Sequence, residues 1–184
     1  MMRARLQDRR VREGVNVREQ FSIRVYKEYF NFGSAHFLIF GDGTREELHG
    51  HNYRVRVMAR GETIAGDLVL DFIQFKPLVK EICDQLDHRT LLPLSNPHLA
   101  VTATEDRVEV RHEDGSWFCF PRRDVCLLDL PNTSTEMLAR YICRAILDVL
   151  PERVPDARLF ALEVEVEESP GQCGAFRVEL EPGA

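Results

Sequence analysis

No apolar run in this chain approaches the roughly 20 residues needed to cross a bilayer, so no membrane association is expected. No CxxC pair occurs, and the five cysteines (Cys83, Cys119, Cys126, Cys143, Cys173) are odd in number. Such usage fits small buried thiols in a reducing compartment, and a cytoplasmic location is the expectation. Positive charge is also short: 24 Lys and Arg against 30 Asp and Glu leave a formal net charge of -6. A dedicated nucleic-acid binder is usually basic, which argues against a nucleic-acid partner. An anionic substrate would need a locally basic or metal-bearing pocket. Internal repeats and linkers are absent, and 184 residues suffice to bury one core.

Residues 1–20 differ from the remainder. They carry six arginines, three acids and no sustained apolar period, which reads as a disordered extension. They have no apolar h-region, so they are not a secretory signal; an Arg-rich transit peptide is the alternative, against which the acids speak. Residues 21–184 then read as one domain.

Along that domain, "FSIRVYKEY" and "HNYRVRVMARG" alternate as strands do, and "GDLVLDF" reads as a short apolar strand. Phe75, Leu78, Val79, Ile82 and Leu86 then recur at helical spacing, with Asp71 placed to cap the helix and Pro77 early enough to be tolerated. A second helix is marked by a Thr133-x-x-Glu136 capping box and an apolar stripe from Leu138 to Val149, with Pro151 as its stop. Between the helices, residues 107–121 read as a β-hairpin turning at Asp114-Gly115. Two more strands close the chain, and the acidic "EVEVEE" alternation cannot be buried on both faces. The expected fold class is α+β: a mostly antiparallel sheet packed on two helices, with an inserted β-hairpin near 105–122.

Three features could carry chemistry. His49 and His51 are two apart on a predicted strand, so both project to one face, and Gly50 keeps the backbone between them slim. His36 lies upstream, far enough to occupy a neighbouring strand. Three histidines with one coordination position open are the pattern of a catalytic zinc site, although a single histidine is more often a satisfied or exposed side chain. Asp87-His88, at a helix exit, could be a general base tuned by a carboxylate; a charged helix terminus is the plain alternative. Adjacent side chains seldom bond one another, so a different orienting partner is expected. The acid pair Glu167-Glu168 ends a strand, where a carboxylate could accept two hydrogen bonds from a guanidine-like ligand edge or simply be solvated.

Taken in order, "FNFGSAHFL", "LHGHNYRVRV", "VLDFIQFK", "LDHRTLL", "TSTEMLA" and "VEVEES" resemble the 6-pyruvoyltetrahydropterin synthase and 6-carboxytetrahydropterin synthase family. The resemblance runs from about Phe21 to Val178. It implies the tunnelling fold, assembly as a homotrimer or a homohexamer of two trimers, and a 7,8-dihydroneopterin triphosphate substrate bound at zinc. By the same resemblance, His36, His49 and His51 match the zinc ligands. Asp87 and His88 match the proton-transfer pair, Glu168 the residue gripping the pterin's amino-pyrimidine edge, and Ser134 and Thr135 a polar pair near the ring.

One departure stands out. Familiar members carry a catalytic cysteine shortly before HGH, whereas "FGDGTREELHGH" has none; Cys173 is only a remote substitute. The stretch resembles a glutamate-bearing branch that cleaves the side chain to 6-hydroxymethyl-7,8-dihydropterin, a folate precursor. On a continuous strand Glu47 would share the face of His49; on a loop the resemblance favours Glu46, which is the expected base. The alternatives are a 6-carboxytetrahydropterin synthase on a deazapurine (queuosine) route, a 6-pyruvoyltetrahydropterin synthase, and a non-catalytic pterin-binding paralogue.

Overall fold

The computed structural model describes residues 20–181, so the expected N-terminal extension lies, but for Gln20, outside the described residues. Strand β1 (Phe21–His36) pairs antiparallel with β2 (His49–Gly61), with a break in register between Tyr26 and Asn31. Along β2, Tyr53, Val55, Val57 and Ala59 are buried, while the arginines between them face out. That period of two buries one face of the sheet and solvates the other. On the far side of β2, β8 (Leu159–Ser169) buries Leu162, Val164 and Val166 in the same way, and β9 (Gln172–Glu179) forms the edge. Two short strands complete the other side: β3 (Arg89–Pro93) runs parallel to β1, and β7 (Val125–Leu128) parallel to β3. The six strands lie in the order β7-β3-β1-β2-β8-β9.

Two helices cover the apolar face. Helix α1 (Phe72–Leu86) starts where Asp71 accepts the Ile73 N–H at 2.7 Å, the cap expected of it. Helix α2 (Thr135–Arg153) contributes Leu138, Ile142 and Ile146 to one core with Phe32, Tyr53, Phe75 and Val164. This is the expected α+β architecture, with the parallel pairs confined to one edge.

Three local expectations are corrected. Residues 66–71 form turns and a single Ile64–Leu68 bridge rather than a strand; the apolar run is explained by Val69 and Leu70 turning into the core. The α2 cap position is Ser134, because the Thr133 hydroxyl is used elsewhere, donating to the Phe37 carbonyl at 3.1 Å. Pro151 lies inside the last turn of α2. Its ring removes only its own N–H bond, and Val154 N–H still closes onto Leu150 O at 2.8 Å. Among the described residues, no helix is long and apolar enough to cross a membrane.

The insert is larger than a hairpin. Strands β4 (Leu99–Ala103), β5 (Arg107–His112) and β6 (Trp117–Pro121) form a separate three-stranded antiparallel sheet, and the expected turn falls at Gly115, with φ +90. Val108 and Val110 enter a second small core with Phe37, Ile39, Leu92 and Val125.

Gly174 on β9 backs onto the start of α2: a Cβ there would lie 2.5 Å from both the Glu136 nitrogen and Thr135 Oγ1. Gly174→Ala should therefore lower stability in urea unfolding by about 1–3 kcal/mol. Gly41→Ala, where a Cβ meets nothing within 4 Å, should stay within about 0.5 kcal/mol.

Candidate metal centre

At one end of the sheet the buried face changes from apolar to ligating. His36 sits directly opposite His49 across the β1–β2 ladder, and Ser34 opposite His51. Residues two apart share a face, so Phe32, Ser34 and His36 continue one buried row while Tyr53, His51 and His49 continue the next. The ring centroids are 4.7 Å apart for His36–His49, 5.3 Å for His36–His51 and 4.7 Å for His49–His51. Gly50 lets the two strands approach closely between the histidines, since a Cβ there would come within 3.1 Å of the Ser34 carbonyl.

Backbone acceptors fix which nitrogen points inward. His36 Nδ1–H donates to Thr133 O at 3.1 Å, and His49 Nδ1–H to Glu47 O at 2.7 Å. Both rings then present Nε2 with its lone pair free, the arrangement that orients a metal-binding imidazole. His36 Nε2 is buried without a hydrogen-bond partner. Burial, with the neighbouring His49 second, holds the His36 pKa down to about 4, so this ring stays neutral as a ligand must be.

Glu168 completes the group. It continues the inward row of β8, and its Oε1 lies 2.7 Å from His51 Nε2, out of line for a good hydrogen bond. Ligand atoms of His36, His49, His51 and Glu168 all lie within 4.8 Å of one another. An orphaned buried imidazole nitrogen beside three further converging donors fits a divalent metal, for which nitrogen and carboxylate oxygen are ordinary zinc ligands. The neighbouring Glu167 points the other way, pairing with Arg56 at 2.8 Å and accepting the Gly171 N–H at 3.1 Å.

The remaining candidates divide. Residues 40–48 are a loop, since β2 begins only at His49. Glu46 Oε2 stands 3.9 Å from His49 Nε2, while the Glu47 side chain is 92% exposed. Asp87 and His88 are not among the converging donors. They lie at the β1 edge, where Asp87 accepts the Gly33 N–H at 2.7 Å and His88 N–H donates to Gly33 O at 2.8 Å. Contrary to expectation, Asp87 itself orients His88: Nδ1–H donates to Oδ2 at 2.8 Å, which the positive φ of His88 (55°) permits. Burial raises the Asp87 pKa, but the bonds from Gly33 and His88 outweigh it and hold the carboxyl below its usual range.

Ser134 and Thr135 begin α2 beside the cluster in sequence, but Thr133 is the residue that touches it. Cys173 stands opposite Glu167 on the outward face, near Arg56, and no cysteine joins the converging donors. Two participants were missed by sequence reasoning. Thr133 was spent on a capping box. Tyr53 shares the face of His49 and His51 by its spacing, but that its hydroxyl is buried under the histidines without a partner is not readable from the sequence.

A mostly antiparallel sheet backed by two helices, with a metal-capable histidine cluster at its end, places the protein in the tunnelling-fold class. Residues 24–179 match the sequence model of the 6-pyruvoyl tetrahydropterin synthase family, and the chain belongs to that family. A Methanocaldococcus jannaschii protein, provisionally named 6-carboxy-5,6,7,8-tetrahydropterin synthase, is 38% identical over 152 residues, covering 82% of this chain and 91% of that protein. The dihydroneopterin monophosphate aldolase of Pyrococcus furiosus is 44% identical over 46 residues, 25% of this chain and 40% of that one. Among solved structures, Plasmodium vivax 6-pyruvoyltetrahydropterin synthase superposes with a TM-score of 0.81 at 32% identity, covering 89% of this chain and 100% of that chain. Solved forms of that enzyme have a catalytic glutamate replaced by alanine or by cysteine.

The converging donors predict about one tightly held divalent transition metal per chain, measurable by elemental analysis after dialysis. His49→Ala should weaken binding at least about a hundredfold while leaving the fold intact. Unchanged metal content in that variant would remove the cluster as the site.

Proposed function

We propose that this protein is a zinc-dependent lyase that cleaves the side chain of 7,8-dihydroneopterin triphosphate to leave 6-hydroxymethyl-7,8-dihydropterin. The observation that carries this reading is the Glu46 carboxylate, 3.9 Å from His49 Nε2, where familiar members of the family use a cysteine. The catalytic glutamate of the Plasmodium vivax 6-pyruvoyltetrahydropterin synthase supports a carboxylate as the base, and the aldolase name of the Pyrococcus furiosus relative supports side-chain cleavage.

In this reading His36, His49 and His51 hold zinc, whose chemistry is to polarise the substrate's side-chain hydroxyls and acidify their protons. Glu46 takes the proton from the hydroxyl on the second side-chain carbon. As the carbon–oxygen double bond forms there, the bond to the first side-chain carbon breaks, and its electron pair passes towards the pterin. Reprotonation of that first carbon gives the hydroxymethyl product, with Asp87–His88 as the proton donor. A carboxylate suits removal of an acidified hydroxyl proton better than direct deprotonation of carbon, for which a thiolate is the stronger base. Glu168 receives the amino-pyrimidine edge of the pterin, for which it must turn away from His51. Ser134 and Thr135 supply hydroxyls near the ring.

A homotrimer, or a hexamer of two trimers, belongs to the same reading. Two strand edges favour it: β9, and the stretch of β1 before Ser34, which has β2 on one side and no strand on the other among the described residues. Unpaired edges of that length are templates for another copy.

A 6-carboxytetrahydropterin synthase is the second reading, favoured by the names of the relatives. Against it, the Cys173 thiol is exposed on the outward face away from the histidines, and its pKa is raised rather than lowered.

Zinc-loaded protein incubated with 7,8-dihydroneopterin triphosphate should yield the 6-hydroxymethyl pterin by mass spectrometry. Glu46→Gln should reduce turnover by about 10²- to 10⁴-fold with zinc content unchanged. A 6-carboxy or 6-pyruvoyl product, or a Glu46→Gln variant with the wild-type rate, would overturn the lyase reading.

A further inference from the structure

The inserted sheet β4–β6 has no part in the proposed chemistry, yet its contacts converge on the loop that carries Glu46. His112 Nε2–H donates to Gly43 O at 2.9 Å. The His98 ring lies against Gly43, whose φ is +83 and where a Cβ would come within 3.1 Å of His98 Cε1. Phe118 of β6 stacks on Phe37, the residue after His36, with centroids 5.5 Å apart and planes at 19°.

Between these contacts sits Arg45, the immediate neighbour of Glu46. Its side chain is only 10% exposed. The guanidinium carbon is 5.1 Å from the Phe118 ring centroid and 5.7 Å from that of Phe37. Nη1 donates to the Glu46 carbonyl at 2.5 Å, Nη2 reaches Ser116 Oγ at 3.5 Å and lies 3.6 Å from Glu47 Oε2, and Nε lies 4.0 Å from Asp114 Oδ2. Burying a guanidinium is expensive, and here two ring faces, two hydrogen-bonded oxygens and a facing carboxylate offset part of that cost, while Nε keeps no hydrogen-bond partner. Here one ring and the Glu46 carbonyl come from the main domain; the other ring, Ser116 and Asp114 come from the insert. The loop closes through an Ile39–Arg45 bridge and a 2.8 Å bond from Glu46 N–H to Leu38 O. The Glu46 carboxylate also accepts the Leu38 N–H at 3.3 Å. Glu46 thus has two anchors: the Arg45 guanidinium holds its carbonyl, and Leu38 holds its amide and carboxylate.

We propose that Arg45, clamped by the inserted sheet, is a positioning residue that sets the place of the Glu46 carboxylate beside His49. The inference rests on the reading of Glu46 as the base and adds a role for the insert. A displacement of about 1 Å at a reacting group can lower turnover roughly a hundredfold.

The test uses the full chain in four variants: Arg45→Met, Arg45→Lys, Glu46→Gln, and Arg45→Met with Glu46→Gln. With zinc and 7,8-dihydroneopterin triphosphate, Arg45→Met should lower kcat by about tenfold to a hundredfold, with KM within about threefold and zinc content unchanged. Arg45→Lys should recover part of the loss, because it keeps the charge but not the fork. The double variant should be no slower than Glu46→Gln alone, since no carboxylate remains to be misplaced. A wild-type kcat in Arg45→Met, or losses that multiply in the double variant, would overturn the proposal.

Amide hydrogen exchange on the metal-free proteins gives a readout independent of turnover. The Gly43 and Glu46 amides should exchange at least about tenfold faster in Arg45→Met, with Val55 and Val164 unaltered. Unchanged exchange at Glu46 would overturn the proposal even if the wild type proved inert. Accelerated exchange in an inert protein would uphold the placement by Arg45 and sink the reading of Glu46 as a base.

Discussion

The direct pairing of His36 with His49 across the β1–β2 ladder is the constraint on which the site depends. A slip of one residue would send both histidines of β2 to the outward face, among the arginines. Register is held by what lies further along the same rows. Phe32 stacks on Tyr53 at 4.8 Å between ring centroids, and Val25 pairs with Val57, both fully inside the core. The hydrophobic core thus determines where the imidazoles meet. Thr133, just before α2, is the junction: buried, it ties α2 to His36 and Phe37 together.

Convergence of this kind opposes stability in the metal-free chain. Three imidazoles, a carboxylate and the Tyr53 hydroxyl share a small partly buried volume, and His36 Nε2, His51 Nε2 and the Tyr53 hydroxyl have no hydrogen-bond partner. An unsatisfied buried polar group costs about 1–3 kcal/mol. Burial pushes the Tyr53 phenol well above its ordinary pKa, with Glu168 and Glu46 adding to the shift, so its proton stays in place. Such concentrated local cost at one end of an otherwise satisfied sheet is what a functional site displays. A bound cation would relieve the imidazoles and the carboxylate together.

Much of this was legible in the sequence, for identifiable reasons. The alternation of "HNYRVRV" and the apolar stripes of both helices have periods that only one element type satisfies, and Asp71 is a cap in fact as well as in pattern. The two-residue spacing of His49 and His51 contains their shared face. Four things were hidden, some because they depend on distant chain and some because the local backbone is unusual or the element too short. Thr133 fits a capping box locally, but His36 and Phe37 claim its hydroxyl. Asp87 and His88 meet only because His88 takes a positive φ that no sequence rule would assign to it. The parallel strands β3 and β7 are too short to show a period, and β4 is recognisable only from its partner β5. Glu46 was preferred to Glu47 on the resemblance alone, and the geometric reason appears only with β2 beginning at His49.

The central claim is that three histidine Nε2 atoms at the end of this sheet hold one zinc ion. Zinc K-edge absorption spectroscopy of the loaded protein tests it most directly. Three histidine nitrogens at about 2.0–2.1 Å, with oxygen in any further position, are the expected shell. A sulfur neighbour at about 2.3 Å, or fewer than three imidazole nitrogens, would contradict it.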